Sequence, residues 1–173
     1  AAQERALGEC FETWSLYRDA RCIAAYQPID GELDPAALLA PARERGVTLV
    51  FPRVDPSGLV FCPDVPGAWR TGSYGIPEPT SDPVATSAIE LLLVPLVAID
   101  RQGIRLGFGA GYYDRLLAAQ PQLRERSVGV GFAEQLAPNL PRHDHDIPLA
   151  WVATSSGLLQ ALSLSPSQAS ALR

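Results

Sequence analysis

Between Arg105 and Leu117 the chain reads RLGFGAGYYDRLL, with Gly107, Gly109 and Gly111 at every second position. Alternate glycines cost backbone entropy and give up side-chain packing. A chain that accepts this cost needs positive φ, or close approach of another molecule to its backbone. The N-terminus of the helix that follows offers free N–H groups and partial positive charge, which suit an anion. Three glycines let the backbone wrap a phosphate closely. Arg105 can add charge-assisted hydrogen bonds. Asp114 falls in the first helical turn, where a carboxylate beside a phosphate is repulsive unless a cation such as Mg²⁺ lies between them. Together these parts suggest a Mg-nucleotide site. The spacing G-x-G-x-G is neither the dinucleotide fingerprint nor the P-loop. A glycine-rich turn with Asp114 complementing the helix dipole accounts for the same residues. Tyr112 and Tyr113 can pack with Leu116 and Leu117 at helical spacing; one is expected in the core and one at the site.

Three other stretches carry candidate chemistry. QPIDGELDP places Glu32 just past a strand end, where open α/β sheets bind ligands; a solvated turn glutamate is the plainer alternative. SYGIPEP, residues 73–79, is a rigid loop whose prolines fix Glu78, at a site or in a packed turn. PRHDHDIPL alternates His143, Asp144, His145 and Asp146. Consecutive residues rarely converge on one ion, so one carboxylate reaching a Mg²⁺ held mostly by phosphates fits better than a zinc centre.

The elements that must position these residues read as alternating helices and strands. Glu4 to Tyr17 has helical spacing of Leu7, Phe11, Trp14 and Leu16. RCIAAYQP is a buried strand ended by proline. Asp34 and Pro35 open a helix that Gly46 closes. VTLVFPRV and GLVFCP are strands about a DPSG turn. Residues 69–86 read as a long loop. LLLVPLVAI is a buried strand, DRQG a turn, and IRLGFG the return. Tyr112 to Gln120 is a helix stopped by Pro121, and SVGVGFAE and AWVATS are two further strands. Continuously apolar strands alternating with helices predict an α/β fold with a largely parallel sheet buried on both faces.

Composition narrows the function. A chain of 173 residues, 47% hydrophobic and 19% charged, predicts one globular domain over 1–173. Its net charge of −5 and lack of a basic run disfavour nucleic acid. The longest apolar run, Leu91 to Ile99, is too short to span a bilayer, and no secretion signal opens the chain. Cys10, Cys22 and Cys62 have no ligand-like spacing and read as half-buried hydrophobes of a reduced cytosol. A cytoplasmic protein without a membrane partner is expected, as a monomer.

In this order, GELD, FPRV, YGIPEP, VPLVAID, RLGFGAGYYDR and the late HD resemble the 5-formyltetrahydrofolate cyclo-ligase (methenyltetrahydrofolate synthetase) family, from about Ala20 to Thr154. The resemblance implies a single three-layer α/β/α domain. It implies Mg²⁺- and ATP-dependent closure of 5-formyltetrahydrofolate to 5,10-methenyltetrahydrofolate, with release of ADP and phosphate. By that resemblance Arg105, Leu106, Gly107, Phe108, Gly109, Ala110, Gly111, Tyr112 and Tyr113 cradle the ATP phosphates. Asp114 binds Mg²⁺, with Asp146 a second, less direct contributor. Glu32 matches the folate-contacting glutamate, Gln27 sits near the same pocket, and Tyr112 or Tyr113 borders the pterin. No side-chain nucleophile is implied.

The family's pattern is not matched everywhere. Its first helix carries a short basic segment that contacts ATP, whereas this sequence opens AAQERALGECF with Arg5 alone. With no methionine, not even an initiator, the sequence is expected to lack the natural start. Pro35 stands where the family has threonine, Ala110 where some members have lysine, and Phe108 where tyrosine is usual. Two alternatives stand beside the cyclo-ligase: a folate- or nucleotide-binding relative without catalysis, and an unrelated ATP- or phosphosugar-using enzyme on a similar scaffold.

Overall fold

The structure, a computed structural model, describes residues 2–161, so the expected domain span of 1–173 runs past it at both ends. In chain order the elements are α1 (Ala2–Thr13), α2 (Ser15–Arg18), β1 (Cys22–Ala24), α3 (Ala36–Glu44), β2 (Thr48–Asp55), β3 (Gly58–Pro63), β4 (Trp69–Thr71), β5 (Pro77–Pro79), β6 (Leu91–Val94), β7 (Ala98–Ile99), β8 (Arg105–Leu106), α4 (Tyr112–Ala119), α5 (Pro121–Arg124), β9 (Ser127–Gly131), β10 (Trp151–Thr154) and β11 (Gly157–Gln160). Seven strands form the central sheet in the order β11-β10-β9-β6-β1-β2-β3. The five inner strands are mutually parallel, and β3 and β11 close the edges antiparallel.

Alternation along the strands builds two cores. Leu91 and Leu93 of β6 point to one face, with Ile23, Val128 and Val130, under Leu7, Phe11, Leu38 and Leu39 of α1 and α3. Leu92 and Val94 point to the other, with Ala24, Val50 and Val152, under Leu117 and Leu123 of α4 and α5. A sheet apolar on both faces must be covered on both, which gives the expected α/β layers. Cys22 and Cys62 are buried and Cys10 is half-buried, all as free thiols.

Several sequence expectations need correction. The first helix breaks at Trp14, whose ψ of 119° is extended, and restarts as α2. LLLVPLVAI is not one strand, because Pro95 cannot donate to the ladder, and the chain leaves the sheet after Val94 to form β7. The presumed loop of residues 69–86 contains an antiparallel pair, β4 and β5, registered Trp69↔Pro79 and Thr71↔Pro77. β11 went unread, its apolar run being short and following the turn at Ser155–Ser156 directly. At α3 the helix starts one residue later than expected, with Pro35 and not Asp34 at the N-cap; Asp34 Oδ1 accepts the Ala36 N–H at 2.9 Å from just outside, and Gly46 takes φ +77°.

One buried carboxylate organises the hairpin that leads to the glycine loop. Asp100, 1% exposed, directly follows β7. Its Oδ1 accepts the N–H groups of Gln102 (2.9 Å) and Ile104 (3.0 Å), closing the turn into β8. Its Oδ2 accepts the Leu140 N–H at 3.0 Å, tying in the segment that carries His143 to Asp146. Removing it orphans three backbone donors, each costing about 1–3 kcal/mol when buried. Asp100→Ala is therefore expected to lower unfolding stability by about 2–4 kcal/mol, with Asp100→Asn recovering part. Urea denaturation measures this, and a wild-type midpoint for Asp100→Ala would contradict it.

Candidate active site

Open α/β sheets bind ligands beyond the carboxyl ends of their strands, where the chain order reverses. Here that point lies between β1 and β6: β1 continues to β2 on one side and has β6 on the other. A cleft of about 830 Å³ opens there. The chain leaving β1 supplies Tyr26, Gln27, Ile29 and Glu32 to its wall. The chain leaving β6 supplies Pro95 and then the whole run from Arg105 to Asp114. The segment after β9 supplies Leu140, Pro141, His143, His145 and Asp146. The residues singled out from the sequence as site candidates thus line one cleft, with the exception of Asp144.

The glycine loop joins β8 to α4, and its backbone explains its glycines. Gly109 and Gly111 have φ of +89° and +67°, a region that disfavours side chains. Gly107 is needed for room, since a Cβ there would lie 2.5 Å from Arg105 Nη1. Gly111 occupies the N-cap of α4 and offers no side-chain cap, so the first-turn N–H groups remain open to an external acceptor.

Beneath the loop, Arg105 is 11% exposed and pairs with Asp114, Nη2 to Oδ2, at 3.2 Å. Its Nη1 donates to the Pro95 carbonyl at 3.2 Å, and its guanidinium stands over the Tyr113 ring at 5.4 Å. Asp114 Oδ1 accepts the Ile147 N–H at 3.0 Å, and Asp146 Oδ2 accepts the His143 N–H at 2.7 Å. The two carboxylates therefore belong to one polar corner. His143 and His145 stack there with centroids 5.6 Å apart.

The opposite lobe is aromatic. Glu32 Oε2 accepts the Ile29 N–H at 3.0 Å. Burial pushes the Glu32 carboxyl above the usual range, against the lowering effects of that hydrogen bond and of Arg105. Burial likewise raises the Tyr26 and Tyr113 hydroxyls and keeps them protonated, with the charge of Glu32 adding to both. Both loop tyrosines line the cleft, where one alone was expected at the site. Tyr113 also packs against the core under α4. The neighbouring Tyr74 hydroxyl raises that of Tyr112.

Sequence reasoning did not single out Tyr26, Tyr74, or the apolar wall of Pro52, Val54, Leu59 and Ile76. Tyr26 could have been found: it directly precedes Gln27, past a strand end. The wall could not, because it depends on β2, β3 and β5 meeting in space. Glu78 proves almost fully buried, its Oε1 accepting the Val54 N–H at 3.2 Å and its Oε2 lying 3.6 Å from Arg70. A Cβ at Gly72 would fall 2.1 Å from its Cδ.

Among the described residues, no three His, Cys, Asp or Glu side chains are placed to hold a metal by themselves. Asp114 and Asp146 nonetheless present hard carboxylate oxygens. That donor set fits Mg²⁺, which is commonly bound by one or two carboxylates together with substrate phosphates and water.

Comparison with known proteins decides the family. The family model described as "5-formyltetrahydrofolate cyclo-ligase family" matches residues 1–155. The chain belongs to that family. Among its cyclo-ligase relatives, the Escherichia coli K12 enzyme is 33% identical over 79% of this chain and 79% of its own length. The Haemophilus influenzae protein is 32% identical over 76% and 74%, and that of Mycolicibacterium smegmatis 33% identical over 82% and 77%. The solved 5,10-methenyltetrahydrofolate synthetase of Aquifex aeolicus superposes with a TM-score of 0.76 at 30% identity, covering 91% of this chain and 80% of that one. The Mycoplasma pneumoniae synthetase, at 20% identity and TM-score 0.68, shares the fold. As a cyclo-ligase family member the chain is a ligase of folate one-carbon chemistry. No helix among its described residues is long and apolar enough to cross a membrane.

The desolvation of Glu32 has a measurable consequence. A carboxyl whose pKa is higher folded than unfolded stabilises the protein in its protonated form, and that contribution is lost as pH rises through the folded value. Glu32→Gln fixes the neutral form. It is expected to raise Tm over wild type near pH 7, the difference closing below about pH 4. A difference unchanged across that range would show that Glu32 is not desolvated.

Proposed function

We propose that this chain uses ATP and Mg²⁺ to convert 5-formyltetrahydrofolate to 5,10-methenyltetrahydrofolate, releasing ADP and phosphate. The observation that carries this reading is the convergence of Gln27, Glu32, the whole glycine loop, Asp114 and Asp146 on one cleft. The glycine loop and Arg105 would cradle the triphosphate, as open backbone N–H groups and a guanidinium suit phosphate oxygens. Asp114 and Asp146 would hold the Mg²⁺. Bound there, the ion would neutralise charge that builds on the phosphoryl group in transfer. Gln27 and Glu32 would receive the reduced pteridine, whose N–H groups are donors for the Glu32 carboxylate, with Tyr113 alongside.

The chemistry then needs placement more than nucleophilic side chains. The formyl oxygen of the substrate attacks the γ-phosphorus, and the bond to ADP breaks. This converts a poor leaving group into a phosphate ester on an imidate-like carbon. The lone pair of N10 attacks that carbon, the carbon–oxygen bond breaks with departure of phosphate, and N10 loses its proton. The aromatic and apolar walls exclude water from the phosphorylated intermediate. Arg105 holds a positive charge beside the loop at a distance fixed by Pro95 and Asp114. Orienting two substrates in this way can supply several kcal/mol of the barrier lowering.

The test mixes purified protein with 5-formyltetrahydrofolate and Mg-ATP and follows the methenyl chromophore. Product is expected only with ATP present. Its absence from folded protein would overturn the assignment in favour of a binding-only relative. Asp114→Asn is expected to lower kcat/KM by about 100-fold or more, because it removes a charge that positions the ion and Arg105 together. Glu32→Gln is expected to raise KM for the folate while leaving KM for ATP within about twofold; the reverse pattern would exchange the two lobes.

A further inference from the structure

We infer that Arg115 is a positioning residue that aims the glycine loop at the phosphate, acting from outside the cleft. The inference rests on the phosphate-binding reading of that loop. Arg115 lies one helical turn into α4, is exposed, and is absent from the cleft wall, whereas Ala110 and Gly111 are part of it. Its Nη1 donates to the Ala110 carbonyl at 2.9 Å, and its guanidinium lies over the Tyr112 ring, 5.0 Å from the centroid. The peptide joining Ala110 to Gly111 is trans, like every described peptide bond. In a trans peptide the C=O and N–H point in opposite directions. Holding the carbonyl on the outside therefore turns the Gly111 N–H toward the cleft.

Two further features support this role. Gly111 sits at φ +67°, and a Cβ there would come 3.0 Å from Arg115 Nη1, so glycine and arginine fit each other. The two arginines also divide the tyrosine pair: Arg105 stands over Tyr113 from within the site and Arg115 over Tyr112 from without. Arg105 can meet a ligand directly. Arg115 instead spends its charge on a carbonyl and an aromatic ring, in a loop that otherwise has two positive-φ glycines free to reorient. A lysine could donate one hydrogen bond to the carbonyl but would lack the planar stacking on Tyr112.

The experiment compares wild type, Arg115→Ala and Arg115→Lys in the full chain. Alanine is a good helix former, so α4 should persist. Two readouts are taken: KM for ATP and for 5-formyltetrahydrofolate, and the shift of the Gly111 amide in ¹⁵N spectra on adding Mg²⁺ with a non-hydrolysable ATP analogue. Arg115→Ala is expected to raise KM for ATP about tenfold, the size of one lost charge-assisted hydrogen bond, with folate KM within about twofold. Its Gly111 response should shrink, and Arg115→Lys should recover part of both. A wild-type response retained in Arg115→Ala, with unchanged KM for ATP, would overturn the role of Arg115 alone. Equal rises in both KM values with a lowered Tm would mark a merely structural residue and overturn it too. A wild-type Gly111 amide that ignores the nucleotide would overturn the phosphate reading and this inference with it.

Discussion

The ion pair between Arg105 and Asp114 is the interaction on which the rest of the site depends. It bridges the last strand before the glycine loop and the first turn of the helix after it, across 3.2 Å. Without that clasp, the eight intervening residues, three of them glycine, would have less to fix their path. Each partner is held from a second direction, Arg105 by the Pro95 carbonyl and Asp114 by the Ile147 N–H. The pair therefore also joins the end of β6 to the segment that carries Asp146. Both side chains are largely withdrawn from water, where screening is weaker and a charge pair counts for more than on the surface. Splitting the pair without a ligand would leave two poorly solvated charges, so the two ends of the loop are tied together before any ligand arrives.

The clasp works because the sheet delivers its parts to one place. Parallel strands send every crossover to the same edge of the sheet, and the reversal of strand order opens a gap between neighbouring connections. Glu32, Arg105 and Asp146 come from three separate connections, after β1, β6 and β9. Asp100 then fixes the level at which two of them meet, since its oxygens bind both the β7–β8 turn and Leu140. The strands on the β1 side supply the remainder: β2, β3 and the approach to β5 give the cleft an apolar wall, and Glu78 is packed against Gly72, where a side chain would clash.

How much of this was legible in the sequence depended on how local each signal was. β3 was readable to the residue, because a turn and a proline bound it. The left-handed Gly46 after α3 was readable for the same reason, while the start of that helix fell one residue past the position Asp34 suggested. Pro95 was seen but its consequence was not. A proline inside an apolar run can end a strand or sit at its margin, and the packing of Leu96 and Ile99 decides between them. The polar side of the cleft was legible because it is nearly contiguous, from Arg105 to Asp114. The aromatic and apolar side was not. Tyr26, Tyr74 and Val54 are ordinary residues in sequence and become a wall only when three strands converge.

Several features around the cleft run against what folding alone would select. Tyr74 is the non-glycine residue found at positive φ among those described, at +61°, and it is 79% exposed. A bulky side chain in that region costs on the order of 1 kcal/mol. Leu106 and Phe108, 53% and 62% exposed, set apolar surface in water beside it. Glu32 keeps a carboxylate where burial disfavours its charge. None of these helps the two cores, which close on the sheet without them. All four face the same space. Backbone strain, exposed aromatic surface and a desolvated acid become useful together when a flat, nitrogen-rich ring system covers the aromatics and donates hydrogen bonds to the acid. Under the proposed function a reduced folate would meet these interactions, and this would be why the site, and not the core, carries the costs.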